Sequence, residues 1–446
     1  MPPMNDLTSY RRLIAAWIIT GVGFFSVFDA GNSAAGQVET TQKKDATKPE
    51  AAESPTPASD KSGSNLSSNP APDAASPLVP LANISADELA RIGKEYDERV
   101  TELRSAMREA RELLVTYHLT TTRAEGREVL KKFAAAMDVS RKRHAALVEV
   151  AVRKYVVSPD AQLQQFLYEV LSKNCDDDCF EGMLEVGLAL AKGGCKEPKL
   201  DYYIAFAAVA NYQFDIARIH LARFAQSGFD FSKMLEDLNL LSGYIQNNPV
   251  LNERFAAEQK AIAADQTGDP LPRVRLITNK GEIVIELFEN QAPETVGNFI
   301  KLIEEGFYNG LNFHRVLKHF MAQGGCPLGD GTGDAGYTIV GELNKPGARK
   351  FFRGTLGMAL ANGPDTGGSQ FFICFLSQPR LDGKFVAFGR VLSGMDVLAD
   401  LVRVDKSDTE KKESSAGAPP DEILVAEVIS KRNHPYVANI AAKSQK

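Results

Sequence analysis

The sequence predicts a multidomain protein: an all-α domain of helical hairpins, then a closed antiparallel β-barrel that carries two helices. Three observations carry this expectation. Apolar residues recur at three- and four-residue steps from about 85 to about 265, which is the period of a helix face. From Arg273 the texture changes to short alternating runs broken by Gly, Asn and Pro, the signature of strands and turns. Ahead of both lies a stretch too poor in apolar residues to bury a core.

A chain of 446 residues has room for about three domains. Its 51 basic and 57 acidic residues leave a net charge of −6, which argues against a nucleic-acid binder held by a general positive field. Mean hydropathy of −0.20 excludes a polytopic membrane protein. Five cysteines are too few for a disulfide scaffold.

Residues 1–35 run from Arg11-Arg12 through the uncharged segment Leu13 to Phe28 to the small residues Ala30 to Ala35. Basic, apolar, small is the order of a secretory signal, cut after Ala34 or Ala35; kept uncut, the same segment is a membrane anchor. Residues 36–82 contain seven prolines and no aromatic residue and read as an extended, disordered linker.

Residues 83–268 read as helix. Ser85-x-x-Glu88 is a capping box, and Leu89, Ile92, Tyr96, Val100, Leu103, Met107, Ala110 and Leu114 form the apolar stripe behind it. Thr122-x-x-Glu125 opens a second long helix to about Val157, and Ser158-Pro159 caps a third. Breaks near Gly193-Gly194, Asn211, Gly228 and Asn248-Pro249 delimit shorter helices. Small residues mixed with aromatics, as in Tyr203-Ile204-Ala205-Phe206-Ala207-Ala208, allow close packing. Two arrangements fit: a loosely tetratricopeptide-like solenoid of irregular period, or a bundle that spaces or dimerises the chain.

Residues 269–433 hold the strands. Val274 to Ile277 and Glu282 to Leu287 alternate around the turn Asn279-Lys280-Gly281. Pro293 opens a helix through Glu305, a short helix falls near 394–402, and Ile423 to Ile429 is a final strand that closes the barrel against the early ones. Residues 434–446 form a C-terminal tail.

Metal chemistry finds little support, because none of the six histidines is paired at zinc-site spacing; no metal and no organic cofactor is expected. Cys175 and Cys179 bracket Asp176-Asp177-Asp178, read as an acidic helix start or as one half of a disulfide from Cys195 to Cys175 or Cys179. Cys326 and Cys374 read as packed thiols. Gly331 to Gly336 matches a dinucleotide-binding pattern in letters, but no long strand leads in and no helix follows, so it reads as a surface loop.

Three segments remain: Asn312-Phe313-His314-Arg315-Val316, Phe320-Met321-Ala322-Gln323-Gly324-Gly325 and Gly368-Ser369-Gln370-Phe371-Phe372-Ile373. On strands, alternate side chains share a face, so Phe313 pairs with Arg315, Met321 with Gln323, and Gln370 with Phe372. Such a face offers one guanidinium, two amides and apolar walls, with no carboxylate or thiol. That set suits a reaction in which no bond forms to the enzyme.

In these blocks the chain strongly resembles the cyclophilins, a family of peptidyl-prolyl cis–trans isomerases, over about residues 273–432. The resemblance continues through Gly354-Thr355-Leu356-Gly357-Met358-Ala359 and Leu381-Asp382-Gly383-Lys384. It implies a barrel of eight antiparallel strands with a helix at each end. It implies Arg315 as the catalytic residue, with Phe320, Met321, Phe372 and Leu381 as the proline pocket. Gln323 and Gln370 would hold the substrate backbone, with Ala359 and Ala361 along the groove. Three positions depart from the family pattern: Arg380 stands where a Trp is usual, Phe385 where a His is usual, and Leu360 where Asn is frequent. Loss of the Trp implies weaker binding of cyclosporin-type macrocycles, and Phe385 supplies another aromatic wall.

The combined expectation is an exported, periplasmic or cell-envelope folding catalyst. It would act on the X-Pro bonds of proline-containing polypeptides, and its helical domain would hold clients or a protein partner. No nucleic acid is expected, and a membrane only through an uncleaved N-terminal segment. The alternative is a binding module that grips a proline-containing partner on an envelope scaffold without turnover.

Overall fold

A computed structural model describes residues 84–343, 345–361, 363–405, 421–437 and 439–443. The expected signal or anchor at 1–35 and linker at 36–82 lie outside the described residues. Helices α1 (Ala86–Leu119) and α2 (Arg123–Val157) form a long antiparallel hairpin. Arg143 and Arg153 on α2 pair with Glu102 and Glu95 on α1, and the Lys154 ammonium sits 4.3 Å above the Tyr96 ring. Thr122 and Glu125 exchange both bonds of a capping box. At Ser85 only the first half forms, the Glu88 amide donating to the hydroxyl at 3.2 Å.

Six shorter helices follow: α3 (Ala161–Asp176), α4 (Met183–Lys192), α5 (Leu200–Ala210), α6 (Phe214–Gln226), α7 (Leu235–Gln246) and α8 (Asn248–Thr267). The cap of α3 is Asp160, whose carboxylate accepts from the Leu163 amide at 2.8 Å; Ser158 instead ends α2. Every residue of α5 except Asp201 is buried, which explains its run of alanines. Gly187 on α4 serves the same crowding, since a Cβ there would come within 2.6 Å of the Ile204 side chain.

Two readings around Cys175 are corrected. Asp176–Asp178 lie at the C-terminal end of α3, not at a helix start. Negative charge opposes the helix dipole there, and the structure balances it with Lys173 on Asp177, Lys318 on Asp176 and Arg403 on Asp178. The expected disulfide is absent and all five cysteines are free thiols. Cys175 Sγ faces the Tyr203 carbonyl and Cys179 Sγ faces Glu181, so the two sulfurs are turned to different neighbours.

The strand domain is an eight-stranded sheet in the order β3-β4-β7-β6-β8-β2-β1-β9. Its strands are β1 (Arg273–Thr278), β2 (Glu282–Leu287), β3 (Arg315–Leu317), β4 (Met321–Gly324), β6 (Thr355–Met358), β7 (Phe371–Cys374), β8 (Val386–Ser393) and β9 (Ile423–Ser430). Helix α9 (Pro293–Glu304) packs Phe299 against Phe371 and Phe388 inside the curl, and α10 (Met395–Ala399) adds Val397 and Leu398.

The sheet is an open, curled half-barrel, which corrects the expected closed barrel. Strand β3 has three residues, and its free edge is taken by Val404, which exchanges two hydrogen bonds with Val316 at 2.9 and 3.0 Å. Among the described residues the ends of the sheet meet through residues 310–313 and 421–423, where Asn312 bridges Glu422. Beyond the last expected strand, β10 (Ile440–Lys443) pairs with β5 (Tyr337–Ile339), so part of the expected tail is held in a small second sheet.

The helices seat on the strand domain through polar contacts, several of them buried. Arg141 on α2 binds Asp400, Asp396 and the Lys280 carbonyl. Arg349 binds Glu258 and Asp265 on α8, Arg353 binds Glu181, and Tyr244 on α7 donates to the Ser377 carbonyl.

Candidate active site

The site is built from strand register. Arg315 on β3 stands opposite Gln323 on β4, which stands opposite Phe372 on β7, itself opposite Gly357 on β6. Residues directly opposite in antiparallel strands share a face, so these four form one row across the outside of the curl. Their neighbours Val316, Ala322, Ile373 and Leu356 point the other way into the barrel core.

The outer face carries its own apolar cluster. Met321, Phe351, Phe372, Cys374, Leu381 and Ala387 are buried in it, with Leu317, Phe320, Ala359 and Phe385 packed around them. Phe372 stacks on Phe351 at 5.5 Å and takes Phe385 edge-on at 5.5 Å, both favoured aromatic geometries. Gly357 is needed beneath this stack, because a Cβ there would come within 2.4 Å of Phe372 and 2.6 Å of Phe351.

Polar groups border the cluster. Among the described residues no carboxylate pairs with the half-buried Arg315 guanidinium, whose centre lies 5.9 Å from the Phe320 ring. The Gln370 amide donates to the Gly331 and Gly333 carbonyls at 2.9 and 2.8 Å and accepts from Gln323 Nε2 at 3.0 Å. Both N–H bonds of Gln370 are thereby used, while among the described residues the Gln323 carbonyl oxygen and one of its N–H bonds, opposite Arg315, have no partner. Burial pushes the Cys374 thiol well up, with Arg380 pulling weakly the other way, so this sulfur is a packed wall and not a nucleophile.

Of the residues expected at a site, Arg315, Phe320, Met321, Gln323, Gln370, Phe372, Leu381, Phe385 and Ala359 come together. Ala361 does not join the cluster; it is exposed on the following turn, its amide bonded to Thr366. Phe313 is also misplaced by the alternation argument. It is fully buried in the barrel core, opposite to Arg315. Strand β3 begins only at Arg315, so the period of two does not extend back to Phe313.

Sequence reasoning missed three contributors. Phe351 lies outside the three segments singled out. The Gly331–Gly333 loop, read as mere surface, orients Gln370. Asp178, from the helical domain, hydrogen-bonds His319, the residue before Phe320. Only the Gly-rich spacing of the loop carried a usable signal.

No group of three or more His, Cys, Asp and Glu side chains among the described residues is placed to hold a metal ion, and no helix among them is long and apolar enough to cross a membrane.

Comparison with known proteins gives the same part of the chain a family. Residues 273–424 match the model for cyclophilin type peptidyl-prolyl cis-trans isomerase. A peptidyl-prolyl cis-trans isomerase of Helicobacter pylori is 53% identical over 131 residues, covering 29% of this chain and 78% of that protein. Peptidyl-prolyl cis-trans isomerase B of Bacillus subtilis is 48% identical over 131 residues, covering 29% of this chain and 90% of its own length. A Cryptosporidium parvum cyclophilin type isomerase, crystallised in the presence of the dipeptide Ala-Pro, is 34% identical, with a TM-score of 0.31, covering 36% of this chain and 99% of that one. With an unpaired arginine beside an apolar cluster, and relatives near half identical over most of their length, this chain belongs to the cyclophilin-type peptidyl-prolyl cis–trans isomerases.

Proposed function

We propose that the protein is an exported folding catalyst that isomerises X-Pro bonds at Arg315 while its helical domain holds the polypeptide. The observation that carries the catalytic part is the row Arg315, Gln323, Phe372, which sets a guanidinium without an ion-pair partner among the described residues, and an amide beside it, at the edge of an apolar cluster. Amide resonance gives the X-Pro bond a barrier of about 18–20 kcal/mol. Twisting the bond returns the lone pair to the proline nitrogen. A donor aimed there stabilises the twisted state over either planar form.

In this reading Arg315 is that donor. Phe320, Met321, Phe372, Leu381 and Phe385 hold the proline ring, Ala359 lines the groove, and Gln323, steadied by Gln370, holds the substrate backbone.

Arg380 extends the argument to sequence preference. It is exposed, its guanidinium lies 4.4 Å over the Phe320 ring, and no carboxylate among the described residues pairs with it. Two free guanidiniums therefore border one ring. A unit charge about 6 Å away in water interacts with one of them by about 0.7 kcal/mol. Peptides with Glu beside the X-Pro bond are expected to turn over about tenfold faster than peptides with Lys there. The ratio should collapse in Arg380→Gln, and in about 1 M salt, where the screening length is about 3 Å. A ratio unchanged by both would show that Arg380 plays no part.

Support for holding clients comes from a cleft of about 1660 Å³ between the α1–α2 hairpin, the shorter helices and the strand domain. Val100, Leu103, Met107, Phe133 and Met137 lie along it, and methionine adapts to varied apolar partners. Support for export comes from the basic, apolar, small order of residues 1–35. The full chain is expected to keep an unfolded, reduced client protein from aggregating. Met107→Glu should weaken that protection at least severalfold and leave turnover of a short X-Pro peptide unchanged. Equal protection by both would remove the cleft from the function.

A further inference from the structure

The turn between β3 and β4 is not held by the strand domain alone. His319 in this turn has φ of 59°, the left-handed region that glycine and asparagine enter most easily. The residue that stabilises it belongs to the helical domain. Asp178, just past the end of α3, has no exposed surface. Its carboxylate accepts from the His319 amide at 3.1 and 3.0 Å, from His319 Nδ1 at 2.5 Å and from Arg403 at 3.0 Å. Burial acts to raise the Asp178 pKa, but the His319 hydrogen bond and the charges of His319 and Arg403 outweigh it, and the net shift is downward.

The ring is held as firmly. It stacks on Phe206 of α5 at 4.4 Å and on Phe180 at 6.5 Å. Its Nε2 lies 3.7 Å from Asp237 of α7, and the His319 carbonyl accepts from Gln378 at 3.1 Å. The next residue is Phe320, the ring that Arg315 and Arg380 both face. A shift of the His319 backbone would therefore move Phe320 against Arg315.

We propose that Asp178 is a positioning residue of the isomerase site: by holding His319 from the helical domain it fixes the β3–β4 turn and sets Phe320 for the substrate proline. This rests on the reading of Arg315 and Phe320 given above. It also accounts for a buried acid at a helix C-terminus, where the dipole opposes negative charge. Asp178 touches no substrate, and its effect passes through His319. A wall that contacts ground and transition states alike changes KM and not kcat, so displacement of Phe320 should appear in KM.

The test uses the full chain and a short X-Pro peptide. Asp178→Ala is expected to raise KM about tenfold with kcat within about twofold. Asp178→Asn keeps one oxygen acceptor for the His319 amide but loses the charge toward Arg403, so it should raise KM by a smaller but measurable factor of about threefold. Glu181→Ala breaks the neighbouring pair with Arg353, a contact between the same two parts that does not bond the His319 backbone, so it should leave KM near wild type. If Asp178→Ala fails to fold, the comparison of Asp178→Asn with Glu181→Ala decides by the same criterion: a KM that rises only in the former supports the proposal. Unchanged KM in folded Asp178 variants, or an equal rise in Glu181→Ala, would overturn it. A wild type that accelerates no peptide would sink the isomerase site itself, which is a separate outcome.

Discussion

Arg315→Ala is expected to lower kcat/KM for X-Pro isomerisation by about 100- to 1,000-fold while changing peptide affinity by only a few-fold. The magnitude is that of removing one preorganised donor from a developing lone pair, about 2.7–4 kcal/mol of barrier. The selectivity follows from the site. The proline ring would sit against Phe320, Met321, Phe372 and Leu381, and those walls are untouched by the substitution. The guanidinium has no ion-pair partner among the described residues, so its loss strands no buried carboxylate and should not unfold the domain. Exchange NMR on an X-Pro peptide measures both quantities at once. Wild type that binds the peptide yet never accelerates exchange would move the protein to the non-catalytic binding module.

The second large effect concerns the contact between the two halves. Arg349 is almost wholly buried, with 2% of its side chain exposed, against Glu258 at 10% and Asp265 at 5%. Its guanidinium also lies 4.1 Å over the Phe288 ring. Arg349→Met keeps much of the volume and removes the charge, leaving Glu258 and Asp265 buried with Arg390 beside them, 3.7 Å from Asp265. Breaking a buried ion pair from one side costs about 3–5 kcal/mol, because the remaining charge stays desolvated. Denaturant unfolding of the full chain should show a loss of that size, and a loss below about 1 kcal/mol would mean that α8 is held by apolar packing instead. Restoring neutrality with Arg349→Met, Glu258→Gln and Asp265→Asn together should recover part of the loss.

The apolar period of α1 and the capping box at Thr122 were readable because they are local: a helix face and its first turn are set within a few residues. The blocks around Arg315, Gln323 and Phe372 were readable as a family resemblance, and strand alternation correctly put Met321 with Gln323 and Gln370 with Phe372. Alternation failed at Phe313, which lies two residues before β3 and packs into the barrel core.

The acidic run at Asp176 to Asp178 shows the same limit. Its composition is favourable at a helix start, and only the end of α3 and the arrival of His319 and Arg403 show it to be a helix terminus held by cations from a distant part of the chain. Closure of the sheet was likewise misjudged, because nothing local says that Val404 takes the edge of β3.

By itself, the sequence determined the division into helical and strand parts, the family of the strand part, and the pairing of Met321 with Gln323 and of Gln370 with Phe372. The tertiary structure alone decided that the sheet stays open and that the cysteines remain apart. It also decided that Gln370 is oriented by a glycine loop, and that the helical domain reaches the turn beside Phe320. The physical reason is one of range. Propensity, capping and alternation act between neighbours, while edge pairing, burial of a charge and the hydrogen bonds of Asp178 join residues about 140 positions apart, where only the folded chain brings the partners together.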